Sequence, residues 1–171
     1  MTCERRACYI LRSSVSFAVG SPAIFLVSRA TSFIVTEETT EIQLPGGLEA
    51  INHAVARATE IARRAGFDDE ALFGIDMAVR EAVANAVVHG SGQDETKLID
   101  VLFVRSRASL EISVRDRGEG FNPDSVPDPT APQNILKTNG RGILFMRAYM
   151  DEVEYNTHAD GGTIVRMMKR L

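Results

Sequence analysis

The chain lacks tryptophan, and aromatic residues make up only 6% of its 171 positions. That excludes the aromatic platforms on which single-stranded nucleic acids stack. It also lacks an excess of positive charge. Nineteen Lys and Arg against 23 Asp and Glu give a net charge of −4, with a pI near 5.4. A surface that tracks a phosphate backbone needs the opposite sign, so no direct nucleic-acid role is expected. Cysteine is confined to Cys3 and Cys8, which cannot frame a disulfide-stapled fold, and no Cys/His set has zinc-ligand spacing. A reducing cytoplasm is the expected compartment. Long apolar runs are missing too. Val15 to Val27 follows Arg5, Arg6 and Arg12 in the layout of a secretory signal, but Pro22 interrupts the run and Arg29 closes it. It is too short to span a bilayer, and no membrane association is expected.

What remains is an ordinary globular balance, 44% hydrophobic and 25% charged, in a chain long enough to bury a core without staples. Composition changes near Thr36, where the polar run "TEETTE" begins. Residues 1–38 are read as an N-terminal extension and residues 39–171 as one domain.

Within that domain, Glu41 to Pro45 alternates as a short strand and stops at Gly46-Gly47. Leu48, Ile51, Val55, Ala58 and Ala62 recur at helical spacing up to Gly66. Asp68 or Asp69 can cap a second helix, which is expected to run to about Val88 and stop at Gly90. Leu98 to Arg105 and Leu110 to Asp116 read as a hairpin of strands. From Arg117 to Asn139 there is no periodicity, and four prolines crowd together at Pro123, Pro127, Pro129 and Pro132. A loop of that length inside a compact domain is usually functional or disordered. A short helix from "GRGILFMRAYM" and two strands, Asp151 to Asn156 and Gly162 to Lys169, complete the chain. Strands outnumber βαβ crossovers, which predicts an α+β two-layer sandwich.

The second helix carries an oddity. With Glu81 at zero on a helical wheel, Asn85 falls at about 40° and His89 at about 80°. Leu72, Ile75, Val79, Val83 and Ala86 cluster between roughly 120° and 200° as the core stripe. A carboxylate and an amide thus lie beside the core face, with Gly74 and Ala78 near them, small enough to leave room for something to approach. His89 reads as helix-end structure that favours the dipole.

Two glycine signals follow. "DRGEGF" puts Asp116, Gly118 and Gly120 at a strand end, where a carboxylate can accept from an exocyclic amine and glycines permit close backbone approach. The bland alternative is an Asp-x-Gly turn. "NGRGI" puts Gly140, Arg141 and Gly142 at a helix start, where backbone N–H groups and a guanidinium can meet phosphate; the alternative is a permissive start to a helix.

In order along the chain, these motifs resemble the GHKL, or Bergerat, ATP-binding fold shared by gyrase, Hsp90, histidine kinases and MutL. "EAVANAVVHG" resembles its N box, "DRGEG" its G1 box, "GRGI" its G2 box and "GGTIVRM" its last strand. "REAVANAVVHG" with "GRGILFMRAYMDEVEY" is similar to the small anti-sigma factor serine kinases, over about Glu41 to Leu171. The resemblance implies a two-layer α/β sandwich with a mixed, mostly antiparallel sheet, and ATP and Mg²⁺ as ligands. It implies Glu81 as general base, Asn85 as the Mg²⁺ ligand, Asp116 on the adenine amine and Thr163 near the adenine. Gly118 and Gly120 would shape the pocket, and Gly140, Arg141 and Gly142 would meet the phosphates. Phe121 to Asn139 would be an ATP lid, with Lys137 near a phosphate. The implied activity is serine/threonine-protein kinase and anti-sigma regulatory factor. The implied partners are an anti-sigma-factor antagonist, a sigma factor and a second copy of the chain. A nucleotide-dependent binding module without kinase activity has the same pocket and stays open, as does a histidine-kinase-type ATPase domain. The latter would need a helix pair presenting a phosphoacceptor His, and none precedes the domain; His53 lies in its first helix.

Overall fold

Period-two alternation becomes a five-stranded sheet, and the helical stripes become the layer that covers one of its faces. The computed structural model describes residues 37–119 and 141–171. Strands β1 (Glu38–Pro45), β2 (Leu98–Arg105), β3 (Ser109–Arg115), β4 (Glu152–Thr157) and β5 (Thr163–Arg170) lie in the order β1-β2-β3-β5-β4. Every described pair is antiparallel, so the expected mixed sheet is antiparallel throughout. Helices α1 (Glu49–Ala65), α2 (Asp69–Asn85) and α3 (Arg141–Tyr149) form the second layer.

The sheet's inner face presents Ile99, Val101 and Phe103 from β2, Leu110, Ile112 and Val114 from β3, and Val165 and Met167 from β5, all buried. Alternate residues such as Glu111, Ser113 and Arg166 face the other side, as the two-residue period of a pleated strand requires.

Helix α1 ends where Gly66 takes a left-handed conformation and donates to the Ala62 and Arg63 carbonyls. Its buried face is Ala50, Ala54, Val55, Ala58, Ile61 and Ala62. The expected stripe is therefore rotated: Leu48 is 58% exposed and Ile51 only half-buried. Small residues on α1 (Ala50, Ala54, Ala58, Ala62) let it pack closely on α2, which leaves the larger side chains at the edge. Asp68 caps α2, accepting from the Ala71 N–H at 2.8 Å. The stripe Leu72, Ile75, Val79, Val83 and Ala86 is buried as expected.

The end of α2 differs from expectation. After Asn85 the chain continues as a π turn, Ala86–Ser91, in which N–H groups reach five residues back. Gly92, at φ 65°, is the left-handed stop, with its N–H on the Val87 carbonyl. Gly90 lies inside the turn and ends nothing.

Candidate nucleotide site

Helix α2 lies between α1 and α3, which explains its Ala- and Val-rich sequence: it is buried on two flanks. Gly74 and Ala78 make room, but for α3 and not for a ligand. A Cβ at Gly74 would stand 3.2 Å from Tyr149 Cβ, and Ala78 is fully buried.

Further along the same side, Glu81 and Asn85 are half-buried, one helical turn apart. The first turn of α3 passes over them. Gly142 stands so close that a Cβ there would overlap Glu81 Oε2 and lie 3.6 Å from Asn85 Nδ2. Arg141 opens α3 beside it, half-buried. Glu81, Asn85, Arg141 and Gly142 thus converge at one place.

A second group forms where β3 ends. Asp116 is only 7% exposed. Its Oδ1 accepts from the Gly118 N–H at 2.8 Å and from the Thr163 N–H at 3.2 Å. Its own N–H donates to the Thr163 carbonyl at 3.0 Å. The Asp-x-Gly turn is therefore real, and it spends only one carboxylate oxygen. Among the described residues, no donor is assigned to Oδ2. Thr163, 5% exposed, stands next to Asp116. Arg117 reaches back to both carboxylate oxygens of Asp100, at 2.8 and 3.1 Å, which holds the strand end.

Three glycines clasp Asp116. A Cβ at Gly90 would overlap Asp116 Cβ and Cγ, and one at Gly162 would overlap the Asp116 carbonyl. A Cβ at Gly118 would sit 2.6 Å from the Gly90 carbonyl oxygen. Gly162 also has φ 86°, a conformation L side chains rarely adopt. Sequence reasoning missed Gly90 and Gly162 as site residues. For Gly90 the available signal was a glycine inside an otherwise helical run, which usually marks close packing.

The two groups are joined by the π turn. Asn85 precedes it and Gly90 lies within it, five residues further on. His89 is exposed on this turn. Gly120, Gly140, Lys137 and the expected lid, Phe121 to Asn139, lie outside the described residues.

A helical layer on an antiparallel sheet, with a carboxylate–amide pair in the last turns of a helix and an aspartate clasped against the turn that follows, defines a nucleotide-binding ATPase type of domain. Residues 44–169 match the family described as Histidine kinase-like ATPase domain, and the chain belongs to that family. It is 30% identical over 137 residues to the serine-protein kinase RsbW of Oceanobacillus iheyensis, covering 77% of this chain and 85% of that one. It is 33% identical over 126 residues to the anti-sigma F factor of Bacillus cytotoxicus, covering 70% and 85%. Among solved structures, the RsbU and RsbW domains of a Mycobacterium tuberculosis protein superpose with a TM-score of 0.57 at 24% identity, over 78% of this chain and 32% of that longer one. That match supports the fold. Among the described residues, no helix is long and apolar enough to cross a membrane.

Proposed function

We propose that this domain transfers the γ-phosphoryl group of ATP to a serine or threonine of a partner protein, and acts thereby as an anti-sigma regulatory factor. The carrying observation is the convergence of Glu81 and Asn85 under the first turn of α3, with Asp116 clasped against the π turn that follows directly. The relatives' names, a serine-protein kinase and an anti-sigma factor, support the same reading.

In this reading Asp116 Oδ2 accepts from the adenine amine, with Thr163 beside it, and Gly118 and Gly120 allow the base to approach. Gly140, Arg141 and Gly142 offer backbone N–H groups and a guanidinium to the phosphates. Glu81 accepts the proton of the attacking hydroxyl as that oxygen bonds to the γ-phosphorus; the β–γ bridging bond breaks and ADP leaves with the electron pair. Among the described residues, no three His, Cys, Asp or Glu converge as a metal cage. A single amide oxygen at Asn85 fits Mg²⁺, which takes few protein ligands and keeps waters and phosphate oxygens. Bound there, Mg²⁺ would neutralise phosphate charge. The protein substrate is an anti-sigma-factor antagonist, and the sequestered partner a sigma factor. Residues 39–171 constitute the kinase domain, acting in the cytoplasm.

The test incubates purified protein with labelled ATP and a candidate antagonist. Label on the antagonist should fall by about 10²–10⁴-fold in Glu81→Gln while ATP affinity is retained. ATP binding with no transfer by the unmodified protein to any antagonist would reduce the domain to a nucleotide-dependent binding module.

A further inference from the structure

The π turn has a device that holds it. Ser91 is 3% exposed, and its Oγ lies 2.8 Å from both the Val87 and the Gly46 carbonyl oxygens. The hydroxyl's single hydrogen is shared between these two acceptors, so it competes for the Val87 carbonyl from four residues on, the place an α-helical N–H would take. The Gly92 N–H bonds that carbonyl from five residues on and the Gln93 N–H from six, at 2.9 Å. The second contact ties the turn to the loop between β1 and α1. Gly46 is packed so closely that a Cβ there would be 2.5 Å from Ser91 Oγ. Gly46 is itself fixed by its N–H to the Lys97 carbonyl at 2.8 Å.

The turn's geometry has a consequence at Asp116. Tightening from five-residue to four-residue bonds would rotate and advance every position after Asn85. Gly90 would leave its place against the Asp116 Cβ and Cγ, and its carbonyl would leave Gly118.

We propose that Ser91 is a positioning residue for purine selection: its buried hydroxyl, bridging the Val87 and Gly46 carbonyls, holds residues 86–91 in the wide turn that sets Gly90 against Asp116 and so fixes the carboxylate that reads the base. This rests on the assignment of Asp116 to the adenine amine. A carboxylate accepts from that amine but faces an acceptor, the 6-oxo group, on guanine. A site whose acceptor is well placed therefore favours ATP over GTP, and a loosened one discriminates less.

The test measures the GTP/ATP ratio of dissociation constants, together with amide hydrogen exchange over residues 87–93, in the unmodified protein, Ser91→Ala, Ser91→Thr and Asp116→Asn. Ser91→Ala should lower the ratio about tenfold and speed exchange in 87–93, whereas Ser91→Thr, which keeps the hydroxyl, should retain most of both. In the unmodified protein, ATP should slow exchange in 87–93 more than GTP does at equal saturation, because coupling between the turn and the base is reciprocal; this measurement stands even if Ser91→Ala folds poorly. An unchanged ratio in Ser91→Ala beside a lowered ratio in Asp116→Asn would overturn the role of Ser91 and leave Asp116 in place. Equal protection by both nucleotides would overturn it as well. An unchanged ratio in Asp116→Asn would overturn the assignment of Asp116, and the purine role of Ser91 with it.

Discussion

Gly142 shows most plainly how one residue sets the chemistry. It stands where a Cβ would overlap Glu81 Oε2. The overlapped atom is the end of a flexible side chain, so Gly142→Ala is expected to fold, with the Glu81 carboxylate displaced and not the backbone. A base moved by about 1 Å can lose on the order of 10²-fold in rate. Gly142→Ala should therefore cut phosphoryl transfer by about 10–100-fold while the melting temperature and ATP affinity change little; single-turnover transfer beside a nucleotide titration measures both. Loss of affinity equal to the loss of rate would mean that Gly142 serves phosphate binding and not the base. Residue-level chemistry was the most legible part of the sequence. Glu81, Asn85 and Asp116 stand out by type and position and Thr163 only through the family resemblance; the structure brings Glu81 to Asn85 and Asp116 to Thr163. What could not be read was which backbone each one touches. Gly90 looked like a helix stop, because periodicity over six residues does not separate a π turn from the last turn of an α-helix.

At the scale of elements, the informative seam is between α3 and β4. Helix α3 buries Met146 fully, and Tyr155 of β4 lies under it, its hydroxyl 4.0 Å from Met146 Sδ. Burial pushes the Tyr155 phenol up to about 12, with the Glu81 charge adding to the rise and Arg147 opposing it. Below pH 10 the phenol is neutral in folded and unfolded chains alike. Between about 10 and 12 the unfolded chain loses this proton and the folded one keeps it, so the unfolded state binds fewer protons and stability falls as pH rises. Urea unfolding at pH 8 and pH 11 should show a smaller alkaline loss for Tyr155→Phe than for the unmodified protein. Equal losses would mean that Tyr155 ionises as readily in the fold as outside it. This seam was hidden in the sequence. The wheel placed Gly74 and Ala78 beside Glu81 and suggested space for a ligand, but a wheel of one helix cannot show that another helix fills that space. The same limit explains α1, whose small-residue face outcompetes Leu48 and Ile51 for the core because it permits closer approach to α2. Strand β2, by contrast, was read to its observed bounds, since its period is local.

For the whole molecule, the question is how much chain the fold needs. The register lines up Glu41, Leu102, Ser113, Arg166 and Glu154 across the outer face of the sheet. There Arg166 pairs with Glu111 at 2.6 Å and Glu154 at 3.0 Å. Such pairs contribute little stability when exposed, so the inner face carries the fold. That face and the helices close one cluster, running from Ala50 to Met167 among the described buried hydrophobic residues. The family match likewise begins at residue 44. Strand β1 contributes Ile42 and Leu44 to the edge of that cluster, and Arg105 ties its start through Glu38 at 2.6 Å. The Arg105 guanidinium lowers the Glu38 carboxyl below its ordinary range, first through that hydrogen bond. A chain beginning at Glu37 keeps all of these contacts. It should melt within about 2 °C of the full chain and bind ATP with the same affinity, because a surface change worth less than about 0.5 kcal/mol shifts a domain of this size by no more than that. A fall of several degrees, or a weakened nucleotide titration, would place residues 1–36 within the folded unit and move the proposed domain boundary toward the start of the chain.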